Sequence, residues 1–251
     1  MEARQVAAAR GWQWVVQGFA LFRKNPLIWL ALFAVYLIIV LALSVIPMVG
    51  PLVSMLLSPV FSAGFLLGCK ALEEGEELEL AHLFAGFRTN TAQLITVGGV
   101  YLVGNVIVAG IVMLLGGGTL LDMGLLANPQ PDPALLAGAL GNMMLALLGG
   151  LVLLVPLLMA YWFAPALVVF NNMHAVDAMK LSFAACLRNM VPFLVYGVVT
   201  FFLALLAAIP FGLGFLVLVP TITASFYASY KDVFGEQATP EPLQDNAQER
   251  T

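Results

Sequence analysis

The stretch Phe19-Ala20-Leu21-Phe22-Arg23-Lys24-Asn25-Pro26 stands at the entrance to the first long apolar run of the chain. Asn25 reads as an N-cap and Pro26 as the first helical residue, a strong start signal. Phe19 lies on the apolar face of a preceding amphipathic segment, and the two bases face anionic lipid headgroups, each worth about 1 kcal/mol at the surface. The stretch recurs. Phe84-Ala85-Gly86-Phe87-Arg88-Thr89-Asn90 and Phe183-Ala184-Ala185-Cys186-Leu187-Arg188-Asn189 keep Phe-Ala, then a base, then Asn six positions after the Phe. Each copy leads into a further apolar run, so the chain is built from a repeated unit.

Working outward, composition agrees with a membrane protein. Of 251 residues 62% are apolar and 10% charged, against about 25% charged in soluble domains. Mean hydropathy is +0.99. The apolar residues arrive in blocks of about 20, the length that crosses a hydrocarbon core of ~30 Å. Helices satisfy their own backbone there, and nothing alternates like a barrel strand. The expected fold is all-α: a polytopic membrane bundle of about six transmembrane helices in three units of amphipathic helix plus hairpin.

All ten bases (Arg4, Arg10, Arg23, Lys24, Lys70, Arg88, Lys180, Arg188, Lys231, Arg250) fall at the N-terminus, near 70–90, near 171–190 and in the C-terminal tail. By the positive-inside rule these are the cytoplasmic segments, with both termini cytoplasmic. The run from Pro26 to about Ile46 is too long for a signal peptide and is expected to remain as the first span. Cys69 and Cys186 map to the cytoplasmic edge and read as packing residues.

Residues 10–22 put Trp12, Val15, Val16, Phe19 and Phe22 at helical spacing, as in a helix lying at the membrane surface. Pro47, Gly50 and Pro51 predict an external turn before a second span at about 52–69. The acidic run Glu73, Glu74, Glu76, Glu77 and Glu79 reads as a solvated helix start, leading to an amphipathic helix with Leu80, Leu83, Phe84 and Phe87 on one face. Asn90 is expected to cap a third span at about 92–115, closed by Gly116-Gly117-Gly118. An external loop follows at 119–132, and Asp132-Pro133 signals a new helix. A break at Gly149-Gly150 is expected to separate a short external or re-entrant helix (134–148) from a fourth span (150–170). Residues 171–187 form a third amphipathic segment with Val176, Met179, Phe183 and Leu187 on one side. Spans five (191–209) and six (211–229) turn around Pro210 and Gly212.

The even spans share a second motif: Pro59-x-x-x-Ala63-x-Phe65, Pro156-x-x-x-Ala160-x-Trp162 and Pro220-x-x-x-Ala224-x-Phe226. The stretch from Asn90 to Pro156 is about twice as long as Asn25 to Pro59 or Asn189 to Pro220. Residues 1–232 therefore form one integral membrane domain. Its units lie at about 10–70, 77–171 and 174–232, with an insertion at about 116–149 and a disordered cytoplasmic tail at 233–251. Three like units suggest a pseudo-threefold axis. The prolines and the small residues beyond them either set the bundle's shape only or surround a cavity lined by Ser58, Ser62, Tyr161, Thr221, Thr223 and Ser225.

Little carries chemistry. No ionisable residue lies inside a clear span, which disfavours ion-coupled transport. His82 and His174 lie on surface segments, and His174 with Asp177 is too small a set for a metal. No nucleophile–base pair, phosphate loop or nucleic-acid motif is present. No cofactor, metal or catalytic residue is expected.

With these motifs laid out, residues 11–232 resemble a proteobacterial six-span inner-membrane family of uncharacterised function. More distantly they are similar to the membrane domain of some glycerophosphodiester phosphodiesterases. The resemblance implies the fold and an inner-membrane location, and brings no catalytic residues. The expected function is non-enzymatic: a membrane scaffold, or a role in lipid or envelope organisation. Membrane lipids and other membrane proteins are the expected partners, with lipid headgroups meeting Arg23, Lys24, Arg88 and Arg188. The alternative is a passive permease along the shared axis.

Overall fold

A computed structural model describes residues 2–122 and 133–235. Among them the secondary structure is helical throughout: α1 (Arg10–Lys24), α2 (Pro26–Ser44), α3 (Val49–Glu74), a 3-10 helix (Leu80–Arg88), α4 (Thr91–Asp122), α5 (Pro133–Trp162), α6 (Ala164–Asn171), α7 (Ala175–Arg188), α8 (Met190–Ala208) and α9 (Phe215–Phe234). Five stretches are long and apolar enough to cross a membrane: α2, α3, Thr91–Gly116 of α4, Leu140–Asn171 through α5 and α6, and α8. α9 stands outside this set because polar residues occupy its later turns, among them Ser225, Tyr227, Ser229, Tyr230, Lys231 and Asp232.

The three Phe-Ala segments organise the packing. Sequence order joins each to the hairpin that follows; the tertiary contacts join each chiefly to the hairpin before. The 3-10 helix packs on α3 and α2, α7 on α5 and α4, and α1 closes the ring on α9 and α8. Close approach makes this packing depend on glycine. A Cβ at Gly86 would stand 2.0 Å from the Val60 carbonyl oxygen, and one at Gly18 2.4 Å from that of Thr221. α1 buries Gly11, Trp14, Val15, Gly18 and Phe22 against the protein. It is thus wedged into a hairpin on one side, while Trp12, Val16 and Phe19 stay outside.

The insertion is resolved differently from expectation. The helix does not end at Gly116-Gly117-Gly118; α4 continues to Asp122. Nor does Gly149-Gly150 break the chain, since α5 is one helix from Pro133 to Trp162. These glycines serve helix contact. A Cβ at Gly116 would lie 2.9 Å from the Ala146 Cβ, and one at Gly150 2.4 Å from a Val112 methyl. In lipid an interrupted helix leaves backbone groups unpaired, which outweighs the ~1 kcal/mol cost of each helical glycine. α5 begins at Pro133 as expected, while the loop expected at 119–132 lies from 123 onward outside the described residues, as does the tail from 236.

The break comes instead at Phe163, between α5 and α6. The Phe163 N–H donates to Ser182 Oγ (2.8 Å), and that hydroxyl donates to the Met159 carbonyl (2.7 Å). Those backbone groups would bond each other in a continuous helix. A side chain from α7 has entered the ladder, a recognised cause of sharp kinks.

Candidate functional site

The buried core gathers where the three surface segments meet the ends of the hairpins. Trp14, Trp29, Leu83 and Phe163 are fully buried, as are Ala63 of α3, Ala164 of α6 and Ala224 of α9. Aromatic contact joins α6 to α9 through Phe170 and Tyr230, whose centroids are 5.2 Å apart. The spans mostly turn apolar faces outward, as Leu37, Ile38, Val106, Val152, Leu194 and Phe202 show.

The sequence-predicted polar residues do not form one site. Asn25 caps α2 as expected, its side chain accepting from the Ile28 N–H. The other two asparagines do not act as side-chain caps. Asn90 takes φ of 51° and donates to the Val168 carbonyl (3.2 Å) and Asn172 Oδ1 (2.8 Å). Asn189, fully buried, accepts from the Val6 N–H (2.9 Å) and donates to the Arg4 carbonyl (2.8 Å), so it holds the N-terminal arm. Each spends its side chain on a distant segment, while its backbone carbonyl accepts the first helical N–H. Pro59 and Pro220 are buried and Pro156 is exposed.

The bases also divide. Arg23 is exposed, its guanidinium 5.8 Å from the Phe19 ring centroid. Arg88 is exposed and makes neither a hydrogen bond nor an ion pair among the described residues. Arg188 donates to the Ala3 carbonyl (3.0 Å), beside Asn189's hold on the same arm. Lys24 donates to the Leu72 carbonyl at the end of α3.

Lys24 opens onto a crevice of about 390 Å³ between α1 and the ends of α3 and α9. Arg10 grips Asp232 with two guanidinium nitrogens, and the Trp14 indole N–H donates to the same carboxylate (2.8 Å). Lys231 pairs with Glu73, which also accepts from the Tyr227 hydroxyl (2.8 Å). Sequence reasoning missed Arg10, Glu73, Tyr227, Lys231 and Asp232. Their only signal was polarity at helix ends, which solvation explains equally well. Glu73 is thus not merely part of a solvated acidic run. Glu79 in that run forms a reciprocal capping box with His82.

The six hydroxyls expected around one cavity are dispersed. Ser58 bonds Tyr161 (2.7 Å), Ser225 bonds Tyr196 (2.7 Å), and Thr221 and Thr223 donate to carbonyls of their own helix. Two apolar grooves open sideways: one of about 500 Å³ bordered by Leu158, Trp162, Met190 and Leu194, another of about 490 Å³ bordered by Trp12, Phe19, Leu206 and Val217. Cys69 and Cys186 are both buried and free. Burial pushes the Cys186 thiol up to about 12, against the opposing effect of a hydrogen bond with Ser182.

The chain is similar to a protein of Burkholderia thailandensis named as a probable inner membrane protein, with 35% identity over 274 aligned positions and 100% of each chain covered. No family model matches the chain, and no solved structure matches it.

Proposed function

Since the chain belongs to the same family as the Burkholderia thailandensis probable inner membrane protein and is itself an inner-membrane protein, we propose that it is a non-enzymatic scaffold that organises surrounding phospholipid. One observation carries this reading. The equivalent phenylalanines Phe19, Phe84 and Phe183 are 41%, 44% and 37% exposed, while Trp14, Leu83 and Met179 of the same three segments are buried. Each leads a segment carrying a base at its end. Uncovered rings beside bases suit the boundary between acyl chains and headgroups.

In this proposal α9 serves as a sixth span, both termini face the cytoplasm, and lipids and other membrane proteins are the partners. The more distant resemblance to phosphodiesterase membrane domains enters as a likeness of architecture alone. A passive pathway along the axis has less support, because the hydroxyls expected to line it bond in separate places or to their own helix.

Extraction into native-lipid discs followed by mass spectrometry tests the proposal. Enrichment of one phospholipid class over the bulk membrane, reduced in Arg23→Ala/Arg88→Ala, is the expected result. Bulk composition with a stoichiometric protein partner would replace lipid organisation by an accessory role. Solute flux in reconstituted vesicles would favour the permease.

A further inference from the structure

We propose that the groove between α5 and α8 seats one acyl chain of a phospholipid from the leaflet on the α7 side. The inference rests on the lipid role above and names the place where the protein retains a lipid.

The repeat shows what is missing at this seam. Gly98 of α4 and Gly197 of α8 each stand eight residues after the equivalent asparagines Asn90 and Asn189. α4 packs along α3, the proline-bearing helix of the unit before, and a Cβ at Gly98 would stand 2.2 Å from the Leu56 carbonyl oxygen. For α8 the corresponding neighbour is α5, yet nothing lies within 4 Å of a Cβ at Gly197. α8 packs on α1 and α9 instead. α5 reaches it through Trp162, whose ring centroid lies 5.4 Å from that of Phe193 and 6.0 Å from that of Tyr196. The other two units carry Phe65 and Phe226 at the Trp162 position. The larger ring props the two helices apart.

The result is the groove of about 500 Å³, walled by Val155, Leu158 and Trp162 of α5, Cys186 of α7, and Met190 and Leu194 of α8. Among the described residues no charged or amide side chain lines it. Depth identifies the occupant. Trp162 is level with Phe193 in the first turn of α8, where that span begins. From Trp162 back to Val155 is about 10 Å along the helix, roughly two-thirds of one leaflet's share of a ~30 Å hydrocarbon core. An acyl chain descending from one headgroup layer fits that reach. A partner helix about 10 Å across would need roughly 800 Å³ over the same length, more than the groove holds. Val191 and Leu194 are exposed, so the chain enters from the surrounding bilayer. No hydrophobic gain drives it there, since the bilayer is equally apolar. Retention comes from dispersion contacts that the walls of an unfilled groove would lack.

The full chain in phosphatidylcholine nanodiscs, with a minor fraction of the lipid carrying a diazirine in one acyl chain, tests the seat by photolysis and peptide mapping. Adducts at 155–162 and 190–194 are expected to exceed those at Val106 and Phe202, which are as exposed as Met190, by about fivefold or more, because dispersion contacts sum along a seated chain. Leu158→Trp and Leu194→Trp fill the groove and are expected to remove the excess, whereas Val106→Trp leaves it. Thermal unfolding shows which variants are folded, and either groove variant suffices. Adducts spread evenly over the exposed apolar residues, or an excess that survives in the folded groove variants, would overturn the seat. A dimer that Leu194→Trp dissociates would also overturn it, by assigning the α8 face to a second copy. In each case the lipid role stands if the phospholipid enrichment that depends on Arg23 and Arg88 persists. With neither that enrichment nor an excess of adducts, both fall.

Discussion

Ser182 stands in the place of a helical hydrogen bond of Phe163. Its hydroxyl accepts the Phe163 N–H and passes its own proton to the Met159 carbonyl, so both backbone groups stay paired across the break between α5 and α6. Both residues are fully buried, where an unpaired amide costs about 1–3 kcal/mol. Ser182→Ala is therefore expected to lose about 1–3 kcal/mol, measured as a lower thermal midpoint in detergent. An unchanged midpoint would mean that α5 and α6 rejoin without cost.

Glycine positions give opposite expectations. At Gly86 a methyl would collide with the Val60 carbonyl, so Gly86→Ala is expected to lose about 1–3 kcal/mol through overpacking. At Gly197, within α8, nothing lies within 4 Å of the added methyl. Gly197→Ala is expected to gain about 0.5–1 kcal/mol from helix propensity. Parallel unfolding of the two variants checks that the ring closes where the packing places it.

The two ion pairs at the α9 end differ in shielding. Asp232, with its side chain 17% exposed, holds Arg10 and Trp14, whereas Lys231 and Glu73 are 47% and 41% exposed. Asp232→Asn is expected to cost about 1–3 kcal/mol and to shift tryptophan emission. Lys231→Gln should fall within the ~0–1 kcal/mol typical of surface pairs. Equal losses would contradict this ranking.

Thiol reactivity follows from burial. Attack requires thiolate, and with its thiol held up to about 12, Cys186 remains protonated from neutral pH to pH 9. Maleimide labelling of folded Cys69→Ala protein in that range is expected to be slow and to become rapid on denaturation. Fast labelling of the folded protein would place Cys186 outside the core.

Much of the fold was legible in local signals. Asn25-Pro26 and Pro133 start helices where caps and proline geometry predict, and α8 matches its expected bounds within a residue. Glycine was misleading at 116–118 and 149–150, because the same small residue that breaks a helix in water lets helices touch in lipid. The candidate crevice was barely legible. Arg10, Glu73 and Asp232 stand far apart in sequence, and nothing local distinguishes a paired charge from a solvated one.

The amino-acid sequence by itself determined that this is a helical membrane protein and where most of its helices begin. Apolar runs of that length can satisfy their backbone only as helices, and this is a local requirement. Only the tertiary structure decided that each Phe-Ala segment clasps the hairpin before it, that Asn90 and Asn189 bind distant backbone rather than cap, and that the chain breaks at Phe163. Those outcomes depend on which surfaces fit together after the helices form: on Gly86 meeting Val60, Gly18 meeting Thr221, and Ser182 reaching Met159.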